Sequence, residues 1–249
     1  MPAPTQDPLA PLAALPGVAE DAEAVRRAVA EVHAHRANRR GWPATAAEAV
    51  VRAARASAAL DGGSAELPAD GPVRDPVLAG SLRVAEALGG LLPTWRRAPL
   101  QALARLHVLA AADLPGADPA GLGRPRPGQG VSERLDALAG LVAGGSTVAG
   151  PVLVAVVHGE LLALGPFGSA SGVVARAAAR LTAISTGLDP KGLAVPEVGH
   201  LRAGGEYRAA AAAFAAGGPD GLSRWFGHCT AAWLAGAREG LGIAAAAAE

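Results

Sequence analysis

Apolar positions repeat at a spacing of three or four residues along most of the chain. Val25, Val29 and Val32 form one such stripe, and this spacing places side chains on a single face of a helix. Asp21 and Thr45 are the expected N-caps of the first two helices. No hairpin signal or paired two-residue alternation accompanies the stripes, so the pattern predicts an all-α fold. The predicted helices cover approximately residues 21–41, 45–60, 76–92, 99–114, 131–142, 147–164, 171–186, 206–216 and 220–241.

The most apolar segment of the chain covers residues 148–164. It includes Pro151, His158 and Glu160, and it is too short and too polar to span a bilayer comfortably. Its centre, VLVAVV, would also fit a buried strand, but no partner strand is predicted elsewhere. We therefore expect a buried central helix in a helical bundle.

The organisation along the chain predicts one domain with two loose ends. Residues 1–19 are rich in Pro and Ala and are expected to form a flexible arm, or one laid over the surface. Residues 20–243 carry the helical patterns of a single domain, interrupted by a long loop over 115–130. Residues 244–249 are expected to be a frayed tail.

Composition excludes several function classes. Twenty-two basic and 22 acidic residues balance to a net charge of zero, so no electrostatic attraction favours nucleic acid or an anionic membrane surface. A single cysteine, Cys229, excludes an internal disulfide and fits a reducing compartment. The N-terminus has no basic stretch typical of a signal peptide. We expect a cytoplasmic protein.

The stretch LALGPFGSASGVVARAAARL, residues 162–181, has the form of an anion-binding loop. An apolar run stops at a Gly-Pro-Phe turn, passes through five small residues and restarts as a helix. Small residues ahead of a helix N-terminus let backbone N–H groups and the positive end of the helix dipole approach an anion. The candidate nucleotide- or anion-binding residues are Pro166, Phe167, Gly168, Ser169, Ala170, Ser171, Gly172 and Arg176.

This order of helix, Pro-Phe turn, small-residue loop and helix resembles the Fic domain, whose motif is HPFxxGNGRxxR. Pro166, Phe167, Gly172 and Arg176 match the motif. The segments GRPRPGQGVSERLDALAGLV and EYRAAAAAFAAGGPDGLSRWFGHCTAAWLAG are similar to those flanking the motif in that family. The resemblance spans roughly residues 25–240 and implies a Fic-like helical bundle.

An upstream segment, ASAALDGG, resembles the inhibitory motif [S/T]xxxE[G/N] of many Fic proteins. Ser57, Asp61 and Gly62 occupy its three defined positions, so the resemblance implies a regulatory pair between Asp61 and Arg176. The alternative is that Gly62 merely ends a helix and Asp61 is an unrelated last-turn side chain. The Asp61 carboxylate, in the last turn of the helix, would face the negative end of the helix dipole, and this favours a cation nearby.

The resemblance also implies which chemistry is missing. Fic proteins usually transfer AMP from ATP to a protein hydroxyl, using the motif His as base, the acidic residue to hold Mg²⁺ and the first Arg on the phosphates. Gly165, Ser169 and Val173 replace those three residues. We therefore expect no catalytic residue, no metal ligand, and at most weak binding of ATP and Mg²⁺. The expected role is a pseudoenzyme that binds a protein partner or sequesters a ligand, without nucleic acid or membrane.

Two alternatives remain open at this stage. An active nucleotidyltransferase would need a displaced base, for which His158 and His200 are candidates, although His158 fits a hydrogen-bonded core histidine better. His200 and Glu197 are expected in a loop after Pro196, while His228 and Cys229 are expected to pack in the closing helix. The other alternative is a purely structural helical scaffold.

Overall fold

The computed structural model describes residues 7–248, and within them the chain is helical and contains no strand. This confirms the all-α prediction. Twelve α-helices occur in the described part: α1 Ala10–Ala13, α2 Val18–Ala34, α3 Arg36–Arg40, α4 Trp42–Leu60, α5 Pro76–Arg97, α6 Pro99–Ala111, α7 Val131–Gly140, α8 Gly150–Leu164, α9 Ser171–Ser185, α10 Pro196–Ala203, α11 Gly205–Ala216 and α12 Pro219–Ala246.

The centre of the molecule is the pair α8 and α9. Helix α8 is apolar on all sides and is buried from Val152 to Gly159, and α9 is buried along nearly its whole length. Helices α2, α11 and α12 pack on α8, while α4, α5 and α6 pack on α9. A helix that is apolar all round needs neighbours on every side, which explains why the most apolar segment became the core.

Helix α10 corrects one expectation. Residues 196–203 form a helix rather than a loop, and Glu197 and His200 lie buried on it. Helix α10 packs closely on α12 at Gly236. A Cβ at that position would overlap the backbone of Val195 and Pro196. The Gly236 carbonyl accepts a hydrogen bond from Val195 N at 3.0 Å.

From Asp7 onward, the N-terminal segment contacts the rest of the domain. The Asp7 carboxylate accepts hydrogen bonds from the backbone N–H groups of Thr147 and Leu9, which are the main reason that the Asp7 pKa is lowered to about 2. The side chains of Ser146 and Thr147 also donate to it at 3.0 to 3.1 Å. Leu9 is buried in the main core. Residues 1–6 of the predicted arm lie outside the described residues.

Helix boundaries also differ from the sequence expectations. Helix α2 begins at Val18 after Gly17, so Asp21 lies in its first turn and is not its N-cap. Helix α4 begins at Trp42 with Pro43 in its first turn, and the hydroxyl of Thr45 inside it donates to Asn38 Oδ1 at 2.6 Å.

At the C-terminal end, α12 runs to Ala246, and Ala244 is fully buried. The predicted frayed tail at 244–249 is therefore helical over its first three residues. None of the helices in residues 7–248 has the length and apolar character needed to cross a bilayer.

Candidate functional site

The motif loop is a bend between two helices. Helix α8 ends at Leu164, and Gly165 follows in the left-handed conformation with φ +51°, which glycine adopts without strain. Pro166 and Phe167 are buried, and residues 168–170 form one 3₁₀ turn before α9 begins at Ser171. Residues 165–170 therefore form a bend between α8 and α9.

Several polar groups of the loop are already bonded inside it. The Phe167 N–H donates to Ser171 Oγ at 2.9 Å, and the N–H groups of Gly168 and Ala170 donate to the carbonyls of Gly165 and Phe167. These amides point to partners within the turn, so fewer donors than expected remain for an external anion. Of the loop side chains that carry a polar atom, Ser169 is exposed and Ser171 is buried.

Arg176 is turned away from solvent and is surrounded by protein acceptors. Its Nε donates to Ser57 Oγ at 2.8 Å and its Nη2 donates to the Ser57 carbonyl at 2.9 Å. Nη2 also lies 3.0 Å from Asp61 Oδ1, with the arginine side chain only 2% exposed. Nη1 lies 3.4 Å from the Tyr207 hydroxyl. The structure thus brings together Arg176, Ser57 and Asp61, which the sequence placed in separate motifs.

Asp61 serves two roles at the end of α4. It is the C-cap residue, and the following Gly62 has φ +85°, which is the left-handed conformation that ends many helices. Its carboxylate also rests against Gly172, where a Cβ would overlap both carboxylate oxygens. The ending of the helix and the ion pair coexist, so the two interpretations of ASAALDGG were not exclusive.

The Asp61–Arg176 pair is incompletely satisfied. Asp61 Oδ2 is buried and has no hydrogen-bond partner among the described residues. A buried carboxylate oxygen without a donor costs free energy. Burial would by itself lower the pKa of Arg176, but Tyr207 and Asp61 outweigh that effect and raise it, so the guanidinium stays charged.

Three histidines, His158, His200 and His228, surround Tyr207, whose hydroxyl also lies near Arg176. His158 Nε2 is 2.9 Å from the Tyr207 hydroxyl, and His200 Nδ1 is 2.9 Å from His228 Nε2. Burial is the largest cause of the lowered pKa of His158 and of His200, and the neighbouring positive groups add to it. Residues 7–248 contain no group of three His, Cys, Asp or Glu side chains arranged to hold a metal ion.

His158 is therefore a hydrogen-bonded core histidine. It precedes Gly165 by seven helical positions, which corresponds to a rise of about 10 Å along α8. His228 and Cys229 are also buried in the closing helix, and burial raises the pKa of the Cys229 thiol. The packing interpretation of both residues agrees with this placement.

Arg126 and Tyr207 are site residues that the sequence did not single out. The Arg126 N–H donates to the Pro166 carbonyl at 2.8 Å, and the Arg126 guanidinium lies against Gly168, in the space that a Cβ would take. Arg126 comes from the long loop before α7, so only tertiary contacts bring it here. The sequence signals were the quoted segments GRPRPGQG for Arg126 and EYRAAA for Tyr207.

Both the sequence and the fold of this chain can be compared with those of known proteins. Neither a scan against protein-family models nor a search of curated proteins finds a match. Among solved structures, a Fic-1 fragment (amino acids 134–508) from C. elegans is similar, with a TM-score of 0.69, 17% identity, and coverage of 90% of this chain and 72% of that one. A single-substitution variant of that fragment gives a TM-score of 0.70 with the same identity and coverage.

The chain has a Fic-like fold. Within this Fic-like bundle, the bend between α8 and α9 stands where the sequence resemblance placed the motif, and α4 supplies the acidic partner of Arg176. At 17% identity the likeness concerns the fold. What the Fic-like site does has to be argued from its own side chains.

Proposed function

We propose that this Fic-like protein is a cytoplasmic pseudoenzyme that does not transfer AMP and instead binds a protein partner or sequesters a ligand. One observation carries the proposal. The position of the motif base is Gly165, in a left-handed turn with no side chain, and no titratable side chain from the loop takes its place. General-base catalysis contributes a factor of about 10² to 10⁴ to such reactions.

The buried histidines support the proposal because they are poor substitutes for that base. His158 and His200 are each 3% exposed, and both are engaged with other side chains of the core. A general base has to come within hydrogen-bond reach of the proton that it removes. A displaced-base enzyme would need these side chains to leave the core.

The loop also fits Mg²⁺ and nucleotide phosphates poorly. Ser169 offers a neutral hydroxyl where Mg²⁺ prefers a carboxylate, and Asp61, whose carboxylate lies against Gly172, is paired with Arg176. Val173 is buried in the core and supplies no charge. We expect any binding of ATP at the α9 N-terminus to be weak, and stronger in Asp61→Gly because the carboxylate would no longer cover Gly172.

The test is incubation of the purified protein with labelled ATP and either Mg²⁺ or Mn²⁺. We expect no label on the wild type, on Asp61→Gly or on proteins of a lysate. Label that disappears in His158→Ala or His200→Ala would overturn the proposal in favour of a displaced-base transferase. Calorimetry with ATP and ADP measures the weak binding separately.

A reconstruction separates a binding module from a purely structural scaffold. The combined variant Gly165→His, Ser169→Asp, Ala170→Gly, Ser171→Asn and Val173→Arg restores the motif, and its matched control carries Gly165→Ala with the other four changes. AMP transfer by the first variant alone would show that the site still accommodates a nucleotide. A folded variant without either activity or nucleotide binding would favour the scaffold.

A further inference from the structure

A groove of about 430 Å³ runs between α2 and the loop that follows α9. Its lining residues include Arg26, Arg27, Ala30, His33, Leu188 and Pro190. The volume lies within the range of ligand sites, roughly 300 to 1,000 Å³. No residue of the motif loop, 165–172, lines this groove, so it is separate from the Fic-like site.

The loop wall of the groove is tied to α2 through one buried carboxylate. Asp189 is 2% exposed, and its carboxylate accepts hydrogen bonds from the backbone N–H groups of Leu193 and Ala194, both at 2.9 Å. Asp189 Oδ1 also lies 2.7 Å from His33 Nε2 on α2. Because these bonds fix the loop against the helix before any ligand arrives, less conformational entropy is lost on binding.

The surface between the two walls is apolar. Ala30 of α2 and Pro190 of the loop are exposed, and Leu188 is partly buried. Gly187, with φ +76°, has open space at the position of a side chain. An apolar side chain of a ligand can therefore enter the groove and lie on these three residues.

Arg26 and Arg27 give the helix side of the groove a positive charge. Their guanidinium groups lie 3.9 and 4.0 Å from the Glu23 carboxylate, and the two side chains are 62% and 66% exposed. These distances are longer than a hydrogen bond, and exposed ion pairs of this kind are weak. Both arginines therefore keep donors for a carboxylate of a ligand, which guanidinium groups bind with two parallel hydrogen bonds.

The positive charge continues from the groove onto α3. The exposed arginines of α3 are Arg36, Arg39 and Arg40. None of them forms an ion pair within residues 7–248. At the end of the loop, Lys191 Nζ donates to the Asn38 carbonyl of α3 at 3.2 Å. Residues 26–40 thus carry five arginines and one carboxylate in a chain with no net charge, and such a local excess attracts a ligand of opposite charge.

We propose that the groove is a docking site for an acidic segment of a partner protein. Carboxylates of the segment bind the two groove arginines, and an apolar side chain between those carboxylates lies on the apolar surface. That surface favours a protein segment over nucleic acid, because a phosphate backbone has no apolar side chain to place there. The inference rests on the proposed function in one respect, which is that this chain binds a protein partner.

The experiment uses the peptide acetyl-EDELEDE-amide as the probe, titrated into the full chain by calorimetry at low salt. The uncharged peptide acetyl-QNQLQNQ-amide is its control. We expect saturable binding of the acidic peptide with a dissociation constant below the millimolar range, and no saturable binding of the uncharged one. Binding should be lost in about 1 M salt, where the Debye length falls to about 3 Å.

Substitution of the two groove arginines tests where the peptide binds. The double variant Arg26→Gln and Arg27→Gln should weaken binding by about tenfold, since each exposed charged contact contributes a few-fold. The matched control is the double variant Arg96→Gln and Arg97→Gln, which changes a second pair of neighbouring exposed arginines, at the end of α5. This control should bind the peptide as the wild type does.

The carboxylate of the groove gives a test in the opposite direction. Glu23→Gln removes the charge that competes for both arginines, so it should strengthen peptide binding by about two- to fivefold. Glu20→Gln is its control, because Glu20 is exposed on the same helix but does not line the groove. We expect a smaller effect of Glu20→Gln than of Glu23→Gln.

Three results would overturn the docking site. They are an absence of saturable peptide binding through the millimolar range, equal binding of the uncharged peptide, and binding that is unchanged in the Arg26 and Arg27 double variant. Tighter binding of single-stranded RNA that is lost in the same variant would assign the surface to nucleic acid instead. AMP transfer by a chain that binds the peptide as expected would contradict the pseudoenzyme role alone, so the two failures are distinguishable.

Discussion

Helix α9 carries two buried arginines one turn apart, and their ion pairs differ in kind. Arg180 meets Glu197 through two bonds, Nε to Oε1 at 3.1 Å and Nη2 to Oε2 at 3.0 Å, and it also donates to the carbonyls of Gly192 and Ala194. Arg176 meets Asp61 through one carboxylate oxygen at 3.0 Å, while the other has no partner in the described chain.

The difference indicates that the Arg180–Glu197 pair is a structural contact, whereas the Arg176–Asp61 pair can open. Glu197 is buried, and its pair with Arg180 fixes the 186–196 connection and α10 against α9. The Asp61 side chain is 17% exposed and sits at a helix C-terminus, where the dipole disfavours a negative charge. Removing one partner of a buried pair is costly because the other charge is left uncompensated. We therefore expect the larger loss in the free energy of unfolding when the Arg180–Glu197 pair is broken.

The largest expected effect is on the Arg180 pair. Glu197→Gln keeps the shape of the side chain but leaves the Arg180 charge without its counter-ion, and we expect a loss of about 3 to 5 kcal/mol in the free energy of unfolding. Urea denaturation measures it. Glu239→Gln, whose carboxylate pairs with two partly exposed arginines, serves as control and should cost less than about 1 kcal/mol. Equal costs would remove the distinction between a buried and a surface pair.

The next largest effect is the loss of stability in acid, which arises from the buried histidines near Arg176. His158 and His200 have folded-state pKa values well below 6.5, so below that pH the unfolded chain binds protons that the folded chain does not. Stability is therefore complete above about pH 6.5 and falls by about 1.4 kcal/mol per pH unit for each such histidine. Urea midpoints between pH 7.5 and 5.5 measure this.

The acid effect has its own control. Around the histidines lie Arg176, Glu206, Tyr207 and Cys229, and Glu206 partly opposes the lowering of the His228 pKa by burial. His200→Gln should reduce the dependence of stability on pH by about one bound proton, whereas Gln101→Ala, an exposed change that removes no titratable group, should leave it unchanged. A stability that rises on acidification would contradict the burial of neutral imidazoles.

A third, smaller effect tests the contact of Asp61 with Gly172. Gly172→Ala should destabilise the wild type by about 1 to 3 kcal/mol because its methyl group would overlap the carboxylate. In the Asp61→Gly background the same change should be neutral or stabilising, as Ala favours helix over Gly by about 1 kcal/mol. Thermal denaturation of the four proteins gives the coupling. Gly227→Ala, with open space around it, should be unaffected by Asp61→Gly.

The smallest expected effect is that of Asp61→Asn. It removes the charge but keeps the size of the side chain, and its amide can still accept from Arg176 through oxygen. Losing the counter-ion of the buried Arg176 costs free energy, but relief of the unbonded oxygen and of the unfavourable helix dipole offsets most of that cost, so we expect a net change of about 1 kcal/mol. A loss as large as that of Glu197→Gln in urea denaturation would show that both pairs are structural.

Sequence patterns predicted one local part of this site and one contact between distant segments. The bend at Gly165 follows from Gly-Pro-Phe, and the meeting of Asp61 with Arg176 followed from a motif resemblance together with the need of a C-terminal carboxylate for a cation. Helix α10 was missed because eight residues with an internal glycine leave no clear apolar stripe. Arg126 was missed because the long loop folds back through tertiary contacts that no spacing encodes.

The left-handed conformation of Gly165 bears on how readily this position could accept a histidine. Any residue with a Cβ pays about 1 to 2 kcal/mol to remain at φ +51°, or else the turn must be rebuilt to accept it. A histidine introduced alone would thus carry a folding penalty before it gained any catalytic benefit. A histidine at this position would therefore need coordinated changes in the turn, and a single mutation would not suffice.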